Sequence, residues 1–286
     1  MNNKGNILII VLVVFTITVS ILFDFVRRVY LFINVTENYK LSEKMATVLK
    51  AGYTYSSQQI EDFLKRLDYT DKKSETLVDR LDDITITAFV EDNNSKFNLN
   101  SMVYQNGIIN LRNYEIFRRL LKNLELDEAY ADRVVDFIDF DKTSRIGDSE
   151  VNAKNYFLFS LSELKYIFKP EDWEKLKPFV TVFGNGLINI NTADKELIMA
   201  LHRDISEDLA KRIIEKRSDN PFKSRGEVIA FPQMNVIGIN ISDLIVVKSS
   251  SFFLNIVANK DDFKETVEVS FDLDGGKIKT NYWKEY

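Results

Sequence analysis

Lys4-Gly5-Asn6-Ile7-Leu8-Ile9-Ile10-Val11-Leu12-Val13-Val14-Phe15-Thr16-Ile17-Thr18-Val19-Ser20-Ile21-Leu22-Phe23 holds an apolar run from Ile7 to Phe23 that only Thr16, Thr18 and Ser20 interrupt. At about 1.5 Å per residue, that run with Phe25 and Val26 approaches the roughly 30 Å of hydrocarbon in a bilayer. One membrane span over 6–26 is the expectation. A cleaved secretory signal would carry a basic start, a shorter apolar stretch and a small-residue cleavage site. Phe23-Asp24-Phe25-Val26-Arg27-Arg28 stands there instead. Lys4 on one side and Arg27 and Arg28 on the other leave charge unable to orient the helix. Beyond the span, Val29, Phe32, Ile33, Leu41, Met45, Val48 and Leu49 recur at helical spacing without a proline. The span is therefore one end of a longer helix reaching about Gly52, roughly 70 Å in length.

The remaining chain is compositionally ordinary. It has 286 residues, 45% hydrophobic and 28% charged, enough for a folded head. A net charge of −5 argues against a general polyanion binder. With no cysteine and a single histidine, His202, there are no disulfides, no thiol nucleophile and no histidine-rich metal site. A histidine-based triad is disfavoured in the same way.

Hydrophobic period divides the head. Leu81 to Leu99 alternates like a strand pair turning at Asn93-Asn94. From about Asn113 to Phe168 the pattern is helical, with Ile116, Leu120, Leu121 and Leu124 on one stripe and Ala129, Arg133, Val134, Phe137 and Ile138 on the next. Alternation returns in 252–258, 266–273 and 278–283, separated by Asn259-Lys260-Asp261-Asp262 and Asp274-Gly275-Gly276. Strands flanking a helical block indicate an α+β head, a small antiparallel sheet with a large inserted helical domain.

Two stretches could carry chemistry. Asp132, Asp136, Asp139, Asp141, Asp148 and Glu150 face only Arg133, Lys142 and Arg145, a local excess of −3. Counted from Asp139, the residues Asp141, Thr143, the Arg145 carbonyl and Glu150 fall at the ligand positions of an EF-hand loop, with Ser144 where that loop has glycine. All candidate donors are oxygens, which favours a hard cation such as calcium. A solvated acidic helix end is the plain alternative, and a carboxylate pair for hydrolysis the remote one.

The second stretch runs from Asn189-Ile190-Asn191-Thr192-Ala193 through Leu197, Leu201, Ala210, Ile213, Ile214 and Arg217 to Asn220-Pro221-Phe222-Lys223-Ser224. It resembles a helix-hairpin-helix or sterile-alpha-motif-like unit, so a membrane-anchored DNA-binding protein of the competence type is the main alternative reading. DNA-binding hairpins grip phosphate through glycine-rich turns. The turn here is Arg203-Asp204-Ile205-Ser206-Glu207-Asp208, without glycine, and acids balance bases from Asn191 to Ala230. No nucleic acid is expected.

Lys4-Gly5 directly before the apolar helix resembles a type IV pilin-like leader. Most such subunits carry glutamate at the fifth position of the mature helix; here it is Ile10. That departure, the order long helix, strands, helical insertion, strands, and the motifs Lys96-Phe97-Asn98-Leu99-Asn100, Val135-Asp136-Phe137-Ile138-Asp139-Phe140-Asp141, Ser162-Glu163-Leu164 and Leu187-Ile188-Asn189-Ile190-Asn191-Thr192-Ala193 together resemble the protein K family of minor pseudopilins in type II (general) secretion. The resemblance implies cleavage between Gly5 and Asn6 by prepilin peptidase, N-methylation of the new terminus, and a non-enzymatic role capping the pseudopilus tip. It implies I- and J-type minor pseudopilins and the secretion inner-membrane platform as partners. A single-pass inner-membrane protein with a cytoplasmic N-terminus and periplasmic head follows. So does calcium at Asp136, Asp139, Asp141, Asp148 and Glu150. The expected parts are a leader at 1–5, the span at 6–26, a helical stem and connection at 27–80, pilin-like strands at 81–104, the inserted helical domain at 105–240 with its sterile-alpha-motif-like unit at 181–240, and C-terminal strands at 241–286.

Overall fold

The computed structural model describes the backbone of residues 3–286 and the side chains of residues 12–286. The expected leader, the processing residues Gly5 and Asn6, and Ile10 lie outside the described side chains. The chain divides into two compact units, Met1–Gly52 and Tyr53–Tyr286.

The first unit is helical throughout its described length and belongs to α1 (Asn3–Arg66). The helix passes Gly52 without a proline to stop it, and ends with Lys65 and Arg66 in a last turn whose carbonyl dipoles favour positive charge. Thr16 and Thr18 return their hydroxyls to the carbonyls of Leu12 and Val14, 2.6 and 2.8 Å away, so neither leaves an unpaired polar group on the apolar surface. From Leu12 to Val35 large hydrophobic side chains are exposed, Phe15, Phe23 and Phe32 by two thirds or more. Among the described residues no helix is long and apolar enough to cross a membrane, and the span expected over 6–26 begins with residues whose side chains are not described.

In the second unit the elements after α1 are β1 (Ser74–Leu81), β2 (Ile84–Asp92), β3 (Phe97–Asn98), α2 (Leu111–Asn123), α3 (Ala129–Ile138), α4 (Pro170–Leu176), β4 (Val180–Thr181), β5 (Ile188–Asn189), α5 (Lys195–Leu201), α6 (Glu207–Asp219), α7 (Arg225–Ala230), α8 (Asn235–Ile241), β6 (Ile245–Val246), β7 (Ser251–Lys260), β8 (Phe263–Asp274) and β9 (Lys277–Glu285). Five strands form an antiparallel sheet in the order β1-β2-β7-β8-β9. Its buried face follows the period of two: Ala88 sits opposite Ile256, which sits opposite Val267, and Leu254 pairs with Val269. Gly275 and Gly276, both with positive φ, close the β8–β9 hairpin as a two-residue turn of this kind requires.

The strand pair expected over 81–99 is corrected. Residues 84–92 pair with 74–81, a segment assigned from sequence to the stem and connection, and the chain turns back at Asp82-Asp83. β1 is an edge strand exposed at every position, so it lacks the alternation that marks a half-buried strand. Asn93-Asn94-Ser95 is a buried 3-10 turn. Its amides serve long-range contacts: Asn93 Nδ2 donates to Ser251 and Ser270 hydroxyls at 3.1 and 3.2 Å, and Asn94 Oδ1 accepts from the Ser250 and Ser251 amides.

Between β2 and β7 the same construction occurs twice. In the first copy β3 pairs in parallel with β4; in the second β5 pairs in parallel with β6. Each short strand continues into an asparagine clamp. Asn98 Oδ1 accepts from the Asn100 amide, and Asn100 then donates to the carbonyls of Leu158 and Val182 and accepts from the Leu158 amide. Asn189 Oδ1 likewise accepts from the Asn191 amide, and Asn191 donates to the carbonyls of Phe222 and Val247 and accepts from the Phe222 amide. One side chain thus satisfies three backbone groups where a two-residue strand runs out of ladder. The helices of both copies share one core, in which Phe97 stacks on Phe117 with centroids 5.5 Å apart. Arg119 Nε donates to the Ala200 carbonyl, tying α2 to the end of α5.

Asp92, at the end of β2, joins the sheet to the second copy. Its carboxylate is buried and accepts from the Asn94 amide (2.8 Å), Thr192 Oγ1 (2.6 Å), Ser249 Oγ (2.6 Å) and Asn189 Nδ2 (3.4 Å). Burial pushes its pKa up to about 6 against the pull of those donors.

Candidate metal centre

The acidic segment begins inside α3. Val134, Val135 and Ile138 put one face of this helix in the core, and Asp136 is carried into the buried region with them. Asp139 ends the helix in extended conformation and is also buried. The chain then loops and returns, so that the amides of Lys154 and Asn155 both donate to the Phe137 carbonyl, at 3.1 and 3.0 Å. That closure brings residues distant in sequence beside the helix end.

Asp139, Asp141 and Glu150 converge, with one oxygen of each lying within 4.8 Å of the others. Asp136 stands behind them. Its Oδ2 accepts from the Arg145 amide at 2.8 Å and from the Ser149 hydroxyl. Asp148 is exposed and is not one of the three converging acids. Thr143, also exposed, donates its amide to Asp141 Oδ1 at 2.7 Å and so shapes the turn after Asp141. No helix follows Glu150, so the loop has the spacing of an EF-hand at its ends without the helix–loop–helix frame.

The electrostatics are unbalanced. Asp136 Oδ1, Asp139 Oδ1, both Glu150 oxygens and Asn155 Oδ1 are buried and make no hydrogen bond. The nearest positive group is the Arg145 guanidinium, whose Nε is 3.4 Å from Asp136 Oδ1 and whose Nη2 is 4.0 Å from Asp139 Oδ2. Burial, then the charges of Asp141, Glu150 and Asp136, push the Asp139 carboxyl up to about 7. Glu150 is raised too, first by burial and then by Asp136 and Asp141. Folded chains seldom leave buried carboxylate oxygens unpaired, because each forfeits its hydration. Here five orphaned oxygens come from four side chains. The oxygen-only donor set fits calcium, which accepts irregular cages of six to eight oxygens at 2.3–2.6 Å.

Sequence reasoning missed two participants, the Asn155 amide oxygen and the Arg145 side chain. Asn152 and Asn155 both take positive φ, and asparagine is the non-glycine residue that tolerates it, so a pair of them closing an acidic loop was the available signal. Beside the loop Phe140 stacks on Tyr156 (5.6 Å, 4° between planes) and packs edge-on to Phe157. Gly107 is pressed against Phe140, since a Cβ at that residue would lie 2.4 Å from the Phe140 Cβ.

The unit that resembles a DNA-binding hairpin has a turn engaged with itself. The Asp204 amide donates to His202 Nδ1 at 3.2 Å, and the Ile205 amide to the His202 carbonyl at 3.0 Å. The glutamate and lysines nearby pair among themselves, Glu207 with Lys195 at 2.9 Å and with Lys211 at 3.1 Å.

A long N-terminal helix leading to an antiparallel sheet, with helical units inserted between its second and third spatial strands, defines a pilin-like subunit with an enlarged head. Two family models described as type II secretion system protein K match residues 95–185 and 188–248, together more than half of the chain, and the chain belongs to that family of minor pseudopilins. The division between the matches coincides with the boundary between the two clamp units. The fold is similar to a chain in the crystal structure of the GspK-GspI-GspJ complex from the enterotoxigenic Escherichia coli type 2 secretion system, at 18% identity and a TM-score of 0.72, covering 88% of this chain and 99% of that one. No curated protein matches the chain. Family membership sets the DNA-receptor alternative aside.

Proposed function

We propose that this chain is the tip-capping minor pseudopilin of a type II secretion apparatus, a structural subunit that acts without catalysis. The observation that carries this reading is the pair of clamp units, each matched by a protein K family model, set into a pilin-like sheet. Residues 6–26 anchor it in the inner membrane, with the N-terminus cytoplasmic and the head periplasmic. Prepilin peptidase cuts between Gly5 and Asn6, and the inner-membrane platform receives the product. Its tip partners are minor pseudopilins of the I and J types; the structurally similar chain comes from the crystal structure of a GspK-GspI-GspJ complex. The apolar side chains exposed along residues 12–35 support packing of α1 against lipid and sister helices.

Calcium in the acidic loop belongs to this reading, held by Asp139, Asp141 and Glu150 with Asp136 and Asn155 behind them. The ion supplies charge that the buried carboxylates lack, and so fixes the loop to the end of α3. Co-expression of the full chain with the I- and J-type subunits of its host tests the assembly. A ternary complex on co-purification, and accumulation of unprocessed chain in a Gly5→Val variant with loss of secretion, are the expected results. Normal processing and secretion in that variant would refute the assignment.

A further inference from the structure

We propose that Arg145 is a tethered counter-ion, a guanidinium that stands in the carboxylate cluster until a divalent cation displaces it. The inference rests on the calcium reading and adds to it a residue that sets both affinity and metal-free stability.

Arg145 is attached to the site in two separable ways. Its backbone amide donates to Asp136 Oδ2 at 2.8 Å, which holds the loop to α3 whatever the side chain does. The guanidinium meanwhile lies 3.4 Å from Asp136 Oδ1 and 4.0 Å from Asp139 Oδ2, close enough to lower their mutual repulsion and too far or too poorly aimed for a hydrogen bond. A planar fork with five donors can satisfy two carboxylates at once when it is built into a site. Here it compensates charge and leaves the orphaned oxygens of Asp136, Asp139, Glu150 and Asn155 unpaired. Asp136 and Asp139 are at least 98% buried, while the Arg145 side chain is about one third exposed. The carboxylates cannot leave; the guanidinium can.

Of the bases nearby, Lys154 is committed to Glu163 at 2.5 Å and lies over the Phe159 ring, and Arg133 lies over the Tyr130 ring. A single guanidinium against Asp136, Asp139, Asp141 and Glu150 leaves the cluster with an excess of negative charge. A divalent cation bound to the converging oxygens repels the guanidinium and takes over its compensation of the buried charge, so binding and release of Arg145 are linked. Without the ion, Arg145 limits the cost of burying the carboxylates and keeps the loop folded. With it, displacement of Arg145 weakens the apparent affinity.

Calorimetric titration of the detergent-solubilised full chain with calcium chloride, together with melting in EGTA, tests this on wild type, Arg145→Gln and Arg145→Lys. Arg145→Gln keeps the backbone bond to Asp136. It is expected to bind calcium roughly fivefold to tenfold more tightly, the scale of one partly exposed charge contact, and to melt lower in EGTA. Arg145→Lys should restore both toward wild type. Uptake by Arg145→Gln with none by wild type would support the proposal in its strongest form. Equal or weaker calcium affinity in Arg145→Gln would overturn the counter-ion role and leave the metal site standing. No uptake by either protein would overturn the metal reading and this inference with it.

Discussion

Asn191→Ala removes one amide that closes three backbone groups: the Phe222 N–H (2.9 Å), the Phe222 carbonyl (2.8 Å) and the Val247 carbonyl (3.2 Å). Asn191 and Phe222 are buried, so bulk water does not substitute for the amide. At about 1 kcal/mol net per hydrogen bond, with a further penalty for the Phe222 N–H left without an acceptor, the loss comes to about 3–4 kcal/mol. Asn191→Asp keeps the shape and the acceptor for Phe222 N–H. It turns a charged oxygen toward two carbonyls, and should cost at least as much as alanine. Urea unfolding of the full chain in nonionic detergent, followed by far-ultraviolet circular dichroism, reads the stability. Hydrogen exchange reads the Phe222 amide, which should lose protection ahead of the sheet. Asn100→Ala, which opens the equivalent bonds to Leu158 and Val182, should behave alike with the Leu158 amide as reporter. A loss below about 1 kcal/mol with Phe222 protection unchanged would refute the clamp, because three buried bonds cannot vanish at so small a cost.

Three further expectations concern the buried acids and one glycine. Asp92 has its pKa raised by burial from 3.8 to about 6, so the folded chain holds this proton more tightly than the unfolded chain. The stability it contributes is complete below about pH 4 and is lost as pH rises through about 6; from pH 4 to pH 7 wild type should lose about 2 kcal/mol relative to Asp92→Asn, and a pH-independent difference in urea midpoint would exclude it. Gly107→Ala forces a Cβ into Phe140 at a residue whose φ is +82°, and should cost at least about 2 kcal/mol. Because Phe140 lies between Asp139 and Asp141, the same variant should weaken calcium uptake; an unchanged melting point and titration would contradict this contact. Adding calcium to EGTA-treated wild type should raise the melting midpoint, by an amount that grows with free calcium, and Glu150→Gln should abolish the rise.

Much of this architecture is legible in the chain because two signals are strictly local. An apolar run broken only by Thr16, Thr18 and Ser20, with helical spacing beyond it, announces α1; alternation announces β2, β7 and β8, whose faces differ in burial, and β9, where only Ile278 and Tyr282 are partly covered. β1 was illegible for the same reason: exposed on both faces, it has no period to read, and its role comes from β2 needing a partner. The asparagine motifs were visible as sequence and opaque as structure. Asn98, Asn100, Asn189 and Asn191 look like turn residues, and what they do depends on carbonyls 31 to 119 residues away. The acidic loop was half legible. EF-hand spacing found Asp139, Asp141 and Glu150, and counted Arg145 only for its carbonyl.

The sequence by itself determined the class of protein: a greasy helix at one end, an acidic head with no cysteine and one histidine, and strands on either side of a helical block. These follow from residue type and period, which require no knowledge of the fold. Which acids share a site, which asparagines bear the chain's short strands, and where a guanidinium faces buried carboxylates were decided by tertiary structure alone. The reason is physical. Desolvation and charge pairing act through space over a few ångströms, and the loop closed by Phe137 brings together groups that the chain itself keeps many residues apart.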